Sequence, residues 1–209
     1  KKKELAILER DQPESGTTSF TRQQAPLGLG HAVWCARDIV GNEPFAVLLP
    51  DVLVKNKPSG LKQMIDAASA AGADKANIIA VEEVPMEHVH MYGVVGVGKS
   101  KGDLFELNGM VEKPKAEVAP SNLSITGRYI LQPEIFNILE TQERGAGGEI
   151  QLTDAMLALA GKQPFYGFKF KGKSYDCGSK SGFLAANIAY AMDREELRGD
   201  LLSEMKKYV

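Results

Sequence analysis

The sequence has few cysteines, no long apolar segment and no excess of charge of one sign. Its two cysteines, Cys35 and Cys177, stand in no metal-type or redox-type spacing, so we expect both thiols to be reduced. No apolar run approaches the length that spans a bilayer, and the polar amino terminus does not look like a secretory signal. These absences predict a soluble, cytoplasmic protein without a membrane partner.

The charge balance argues against a nucleic-acid partner. Lysine and arginine number 25 against 27 aspartates and glutamates, which gives a net charge of -2. A groove for nucleic acid normally carries a concentrated basic surface. Hydrophobic residues make up 44% of the 209 residues, which is enough for one substantial α/β core.

The first part of the chain alternates strand and helix patterns. A short apolar run at Phe45–Leu49, bounded by prolines, predicts a strand that is buried on both faces. Ser59 is a plausible N-cap for a helix through Ala71, and the next buried strand is expected at Ala76–Val81. This alternation favours a mostly parallel sheet with right-handed crossovers.

The middle of the chain has a different pattern. Residues 92–97, 104–107 and 110–112 are short extended runs separated by glycines, which predicts a small antiparallel layer. The last helix, at residues 194–209, is strongly charged but has an apolar stripe, so we place it outside a main domain of residues 1–193 and expect a contact with another subunit. Further strands are expected at 17–22, 123–131 and 165–171, and helices at 1–10, 31–39, 133–139, 151–160 and from 180 onward.

Two aspartates follow predicted strands. Asp51 stands just past the Phe45–Leu49 strand, and Asp176 stands between a strand and the helix that begins near Lys180. Ligands of open α/β sheets bind at such strand ends, and a pair of carboxylates there would hold Mg²⁺. The alternatives are that Asp51 only starts a turn and that Asp176 caps the helix.

Other candidates come from a glycine loop and a charged strand end. The loop at Gly28 precedes a helix, and Gln23 upstream carries the donor and acceptor that a uracil edge needs. Glu112 and Lys113 would bind sugar hydroxyls and a phosphate if Pro114 ends the strand there.

Three further features have competing structural explanations. Gly93 would admit a sugar close to the backbone, or it forms a bulge. His88 and His90 alternate along an expected extended segment and are not taken as zinc ligands. His31 is expected to be structural, and Trp34 and Met156 are candidates for the core.

Taken together, these stretches resemble the bacterial UTP-glucose-1-phosphate uridylyltransferases of the sugar nucleotidyltransferase superfamily. No single stretch is decisive, but their order and spacing match from Arg22 to Tyr190. The matching stretches are 22–33, 49–52, 92–95, 111–115, 119–123, 127–129, 149–155 and 172–178. The resemblance implies a Rossmann-like, three-layer α/β fold with a mostly parallel mixed sheet and a small antiparallel sugar-binding layer.

The resemblance also implies a role for each matched position. Asp51 and Asp176 would hold Mg²⁺, with Asp51 and Lys113 as catalytic residues and Lys113 on the phosphates. Gln23 and Gly28 would bind the nucleotide, and Gly93 and Glu112 would bind the sugar. The implied reaction joins UTP and glucose-1-phosphate to give UDP-glucose and pyrophosphate in a homo-oligomeric enzyme. Another nucleotide, such as dTTP, and a catalytically inert nucleotide-sugar-binding or assembly module remain as alternatives.

The chain departs from this family at its amino terminus. The family opens with a strand and a glycine-rich loop bearing an arginine and a lysine, which this sequence does not contain. We therefore expect the chain to begin partway through the fold and to show little or no uridylyltransferase activity by itself.

Overall fold

The computed structural model describes residues 1–208, apart from the side chain of residue 146. The helices are α1 (Lys2–Asp11), α2 (Leu29–Trp34), α3 (Arg37–Val40), α4 (Gly60–Ala70), α5 (Ile135–Thr141), α6 (Leu152–Ala160), α7 (Lys180–Ala191) and α8 (Glu195–Met205). The strands are β1 (Phe45–Leu48), β2 (Val52–Lys55), β3 (Asn77–Glu83), β4 (Gly93–Lys101), β5 (Leu104–Glu112), β6 (Leu123–Leu131), β7 (Phe165–Lys169) and β8 (Lys173–Asp176). No helix in this described range is long and apolar enough to cross a membrane.

Six strands form the central sheet, in the order β1-β6-β3-β7-β5-β4. The predicted α/β class is confirmed, but the expectation of a mostly parallel sheet is wrong for residues 1–208. Only β3 and β7 pair in parallel, and the other pairings are antiparallel. The physical reason is that the segments linking β4, β5 and β6 contain no full crossover helix, so these strands reverse direction.

The sheet carries helices on both faces, because alternate residues of β3 point in opposite directions. Ile79 and Val81 pack in one apolar cluster with α5 and α6, where Met156 is fully buried as expected. Ile78 and Ala80 pack in a second cluster with α4. The Ser59 side chain accepts a hydrogen bond from the Lys62 amide, which confirms the predicted N-cap of α4.

Several predicted elements differ in the structure. The strand at Phe45–Leu48 is an edge strand that pairs only with β6, so it is not buried on both faces, and Leu48 is 49% exposed. Residues 17–22 are exposed and form no strand, so the expectation there is wrong. The helix expected at 31–39 is interrupted by a turn at 35–36.

The predicted antiparallel pairing is present, but it does not form a separate layer. The predicted hairpin at 92–112 exists as β4 and β5, but it joins the central sheet through β7 and β6. A separate two-stranded antiparallel sheet, which we name the ribbon, consists of β2 and β8 and was not predicted. His88 and His90 lie exposed on a 3-10 turn at Met86–Met91 instead of an extended segment.

The terminal helix α8 confirms the expected helix up to Met205, while residue 209 lies outside the described residues. It contains no buried residue.

Candidate active site

An open cleft of about 370 Å³ lies where the ribbon meets the central sheet and the start of α6. Four of the predicted site residues line it: Asp51, Gly93, Glu112 and Asp176. Three others do not line it, namely Gln23, Gly28 and Lys113, although Leu29 next to Gly28 does. The remaining contributors are mainly residues of β6, with Glu82, Met91, Tyr92, Ser174 and the α6 residues 151–153.

The ribbon brings the two aspartates together. Asp176 at the end of β8 pairs with Val52, the residue after Asp51, and the Cys177 amide donates a 2.6 Å hydrogen bond to the Asp51 carbonyl. A side-chain carbon on Gly178 would lie 3.0 Å from Asp176 Oδ1 and 3.5 Å from Asp51 Oδ2. Both carboxylates therefore face the space beside this glycine.

The helix-capping alternative for Asp176 is wrong. The N-cap of α7 is Ser179, whose hydroxyl accepts a hydrogen bond from the Gly182 amide. Asp176 instead accepts from the Gly178 amide through Oδ1, at 3.0 Å. Its carboxylate thus closes a local turn and keeps the second oxygen for the cleft.

The donor set of this pair fits Mg²⁺. Magnesium prefers oxygen ligands and usually takes only one or two carboxylates, with water and substrate phosphates completing its shell. Within residues 1–208, no cluster of three or more His, Cys, Asp or Glu side chains could hold a metal ion, so Asp51 and Asp176 would supply the protein's share.

Glu112 lies on the opposite wall, at the end of β5. The Thr153 hydroxyl, at the start of α6, donates a 2.8 Å hydrogen bond to Glu112 Oε2. Gly93 stands directly across from Glu112 in the β4–β5 pairing, and a side-chain carbon at Gly93 would lie 3.0 Å from that same oxygen. The glycine therefore leaves the carboxylate accessible from the cleft, and Glu112 Oε1 is free of the threonine contact.

Tyrosines of the cleft are held in their neutral form. Tyr129 is only 5% exposed, and burial together with nearby Glu112 raises the pKa of its phenol. Burial also raises the pKa of the Tyr92 phenol, and the charges of Asp176 and Glu82 raise it further. Both phenols remain hydrogen-bond donors at neutral pH.

Lys113 has a left-handed backbone with φ of 47°. Strand β5 ends at Glu112, and the Lys113 amide donates to the Tyr92 carbonyl at 3.0 Å. Glu112 and Lys113 can reach one ligand only if the strand ends here. The strand does end, and the left-handed conformation of Lys113 before Pro114 breaks the alternation that would send its side chain to the far face. Its side chain is exposed.

The glycine loop has a packing explanation. A side-chain carbon at Gly28 would lie 2.7 Å from the Glu149 Cβ and 2.8 Å from the Ile150 carbonyl oxygen. The Gln23 amide nitrogen donates to the Gly28 carbonyl and lies 2.9 Å from His31 Nδ1. Gln23 therefore braces the loop, and His31 also stacks on Trp34, as a structural histidine does.

Arg128 lies on β6 between two cleft-lining residues, Gly127 and Tyr129, and the sequence assigned it no role. It donates through Nη1 to the Leu49 and Gly127 carbonyls, at 2.8 and 2.9 Å, and through Nη2 to the Val52 carbonyl. Its signals in the sequence were a charged residue inside a predicted strand and its place in the matching stretch 127–129.

A second unassigned pair joins the ribbon to the sheet. The Ser174 hydroxyl lies 2.6 Å from each carboxylate oxygen of Glu82. Nothing local in the sequence relates these two positions.

The chain matches one family model and several curated relatives that are longer than it is. The family model described as nucleotidyl transferase matches residues 2–193. A UTP--glucose-1-phosphate uridylyltransferase of Bacillus subtilis (strain 168) is 46% identical over 187 residues, which is 90% of this chain and 63% of that protein. The chain therefore spans less than two thirds of the length of the curated relatives it matches.

Two solved structures have a similar fold. A UDP-glucose pyrophosphorylase complexed with UDP-glucose matches with a TM-score of 0.78 and 44% identity, over 84% of this chain and 66% of that chain. A UTP-bound UGPase from Acinetobacter baumannii matches with a TM-score of 0.82 and 38% identity, over 98% of this chain and 71% of that chain. Since the family model covers almost the whole sequence, this chain belongs to the nucleotidyl transferase family.

Proposed function

We propose that this chain forms the sugar-binding and metal-binding part of an enzyme that makes UDP-glucose and pyrophosphate from UTP and glucose-1-phosphate. The observation that carries the proposal is the one cleft that is lined by Asp51 and Asp176 together with Glu112 and Gly93. The identity to a named uridylyltransferase and the likeness to structures bound to UDP-glucose and to UTP support the same substrates.

The proposed reaction is an in-line displacement at phosphorus. A phosphate oxygen of glucose-1-phosphate forms a bond to the α-phosphorus of UTP, and the bond from that phosphorus to the bridging oxygen breaks. Pyrophosphate leaves with the bonding electron pair. Such chemistry depends on positioning and on neutralising charge more than on proton transfer.

Asp51 and Asp176 are the residues proposed to hold Mg²⁺. When bound there, the ion would supply positive charge against the phosphate oxygens. The two aspartates contribute position, because the ribbon fixes both at one edge of the cleft.

The opposite wall is proposed to bind glucose. Thr153 occupies one oxygen of Glu112 and so orients the carboxylate, while the other oxygen can accept hydrogen bonds from sugar hydroxyls. Gly93 would let the sugar ring approach the backbone, since any side chain there would crowd Glu112.

Lys113 is proposed to reach the phosphates. Its left-handed backbone turns it out of β5 next to Glu112, so the sugar ligand and the phosphate ligand are consecutive residues. An ammonium on a flexible stem suits this role as a mobile point charge.

Gln23 and Gly28 are proposed to bind the uracil at the edge next to Leu29. The Gln23 nitrogen already donates to the Gly28 carbonyl, so the amide oxygen is the group that would accept from the base. The Gly28 backbone would complete the contact.

Calorimetry with UDP-glucose, with and without Mg²⁺, tests the proposal on the chain as it is. We expect binding that Mg²⁺ strengthens, and weaker binding by Glu112→Gln in both conditions. Lack of binding in either condition would favour an inert assembly module. Tighter binding of dTDP-glucose than of UDP-glucose would favour a thymidylyltransferase.

We also propose a cytoplasmic location and association into a homo-oligomer. Both cysteines are free thiols, as expected in a reducing compartment. Leu197, Leu202 and Met205 on α8 are partly exposed apolar residues suited to a contact between subunits. Sedimentation of the chain and of Leu202→Glu would test the association, with a single monomeric species for both proteins as the contrary result.

A further inference from the structure

One arginine, Arg128, forms hydrogen bonds to the turn that carries Asp51. The Leu49 and Val52 carbonyls flank Pro50 and Asp51, and Arg128 of β6 donates a hydrogen bond to each of them. The same guanidinium also donates to the Gly127 carbonyl, so its planar fork spans three acceptors. One side chain thus fixes both ends of the turn.

Two further backbone hydrogen bonds tie the turn to neighbouring strands, besides the β2–β8 pairing that begins at Val52. The Leu49 amide donates to the Gly127 carbonyl at 2.9 Å, which ties the turn to β6. The Cys177 amide donates to the Asp51 carbonyl at 2.6 Å, which ties it to the strand of Asp176. Arg128 is therefore the side-chain link between the central sheet and the half of the ribbon that bears Asp51.

The charges around Arg128 allow it to support the turn while the Asp51 carboxylate stays available for a ligand. Within residues 1–208, Arg128 forms no ion pair with Asp51, although the charge of that aspartate favours the charged guanidinium. Burial acts more strongly and lowers the pKa of Arg128 from its usual value. An arginine remains charged nevertheless, and hydrogen bonds from a charged donor to carbonyls are stronger than neutral ones.

We propose that Arg128 is a positioning residue that holds the Asp51 carboxylate at its distance from Asp176, so that the pair can share one divalent cation. This inference rests on the proposed function, because it assumes that the two aspartates bind the metal. Arg128 touches neither substrate nor metal in this scheme, and acts only through the turn at residues 49–52.

Binding of Mn²⁺, followed by electron paramagnetic resonance at saturating UDP-glucose, provides a readout other than activity. Arg128→Ala should bind Mn²⁺ at least tenfold more weakly than the parent chain, which is the range seen when supports of metal ligands are removed. Added guanidinium ion at millimolar concentration should restore much of that affinity. Destabilisation alone would not respond in this way, since guanidinium weakens folded proteins in general.

Two variants serve as references. Asp51→Asn removes the proposed metal ligand itself and should weaken Mn²⁺ binding by about 100-fold. Arg37→Ala removes a guanidinium that lies 3.7 Å over the Trp34 ring and outside the cleft, so its Mn²⁺ affinity should equal that of the parent. Circular dichroism of each variant establishes the folded fraction on which affinity is calculated.

The possible outcomes distinguish a failure of the proposed metal site from a failure of the role proposed for Arg128. Failure of the parent chain to bind Mn²⁺ would overturn the proposed metal site and this inference with it. Parent-like binding by folded Arg128→Ala, with binding weakened in Asp51→Asn, would overturn only the role of Arg128. Weak binding by Arg128→Ala without rescue by guanidinium would also contradict the positioning role.

Discussion

Two glycines next to the proposed site have opposite reasons for lacking a side chain. At Gly28 the missing carbon would meet the Glu149 side chain and the Ile150 backbone at 2.7 to 2.9 Å, and φ is 107°. At Gly178 the nearest atoms are carboxylate oxygens of Asp176 and Asp51, at 3.0 and 3.5 Å, and φ is not in the left-handed region. Gly28 allows other parts of the protein to pack closely against it, whereas Gly178 leaves space beside two aspartate carboxylates.

This difference shows that a glycine near a ligand cleft is not in itself a sign of ligand approach. Both positions look similar in sequence, since each stands in a loop just before a helix. Only the three-dimensional neighbours distinguish a fold requirement from a site requirement. Substitutions at the two positions should therefore affect different measurements.

The largest effect is expected for Gly28→Ala. The added carbon combines an unfavourable positive φ with overlap against backbone atoms, which together should lower the free energy of unfolding by about 3 kcal/mol. Urea denaturation measures this loss directly. An unfolding free energy within 0.5 kcal/mol of the parent, on the order of experimental error, would mean that the loop relaxes easily and that the comparison does not hold.

Asp51→Asn is expected to remove the effect of Mg²⁺ on UDP-glucose binding. Loss of one of two carboxylate ligands should weaken binding of the cation by about 100-fold. Because Asp51 lies in an exposed turn, the stability of the fold should remain almost unchanged. Calorimetric titrations at several Mg²⁺ concentrations provide the measurement. An unchanged dependence on Mg²⁺ would require the metal role of Asp51 to be abandoned.

Gly178→Ala sharpens the comparison most directly, because it adds the same carbon as Gly28→Ala. The new methyl group would crowd the Asp176 carboxylate at 3.0 Å and contact that of Asp51 at 3.5 Å, so we expect about tenfold weaker binding of the cation and less than about 1 kcal/mol change in stability. Mn²⁺ titration and urea denaturation on one preparation separate the two quantities. A large loss of stability with normal Mn²⁺ affinity would place Gly178 in the same class as Gly28.

The smallest effect is expected for Gln23→Met, at the boundary between brace and ligand residue. Loss of the hydrogen bond to the Gly28 carbonyl should cost about 1 kcal/mol of stability. Loss of a uracil contact should weaken UDP-glucose binding about fivefold, equivalent to one hydrogen bond. If only stability falls, Gln23 serves the loop and not the nucleotide.

Sequence patterns correctly predicted those elements whose formation depends on residues close by in the chain. Ser59 caps α4 because its hydroxyl meets an amide three residues away, and Asn77–Glu83 is a strand because its apolar run fills both faces of a sheet. Whether the strands pair in parallel or antiparallel could not be determined from such local patterns. The ribbon also escaped notice, because Val52–Lys55 and Lys173–Asp176 are short and more than a hundred residues apart in sequence.

The same limit applies to the candidate site. Asp51, Asp176, Gly93 and Glu112 meet in one cleft because each stands at the end of a strand, a position that sequence reveals. Arg128 and Thr153 support these residues through contacts that only the folded chain creates. The sequence could thus propose residues that line the cleft, but it could not identify the residues that position them.

The start of α7 bears on how substrate scope could diversify in proteins of this design. A side-chain carbon at Gly182 would lie 1.9 Å from the Asp176 carbonyl oxygen, so the helix cannot be repacked against β8 without moving the acid. That wall is closed to gradual change by ordinary substitution. If the cleft binds a sugar as proposed, a change of sugar would come more readily from exchangeable side chains elsewhere in its lining, such as Met91, Tyr92 and Ile125.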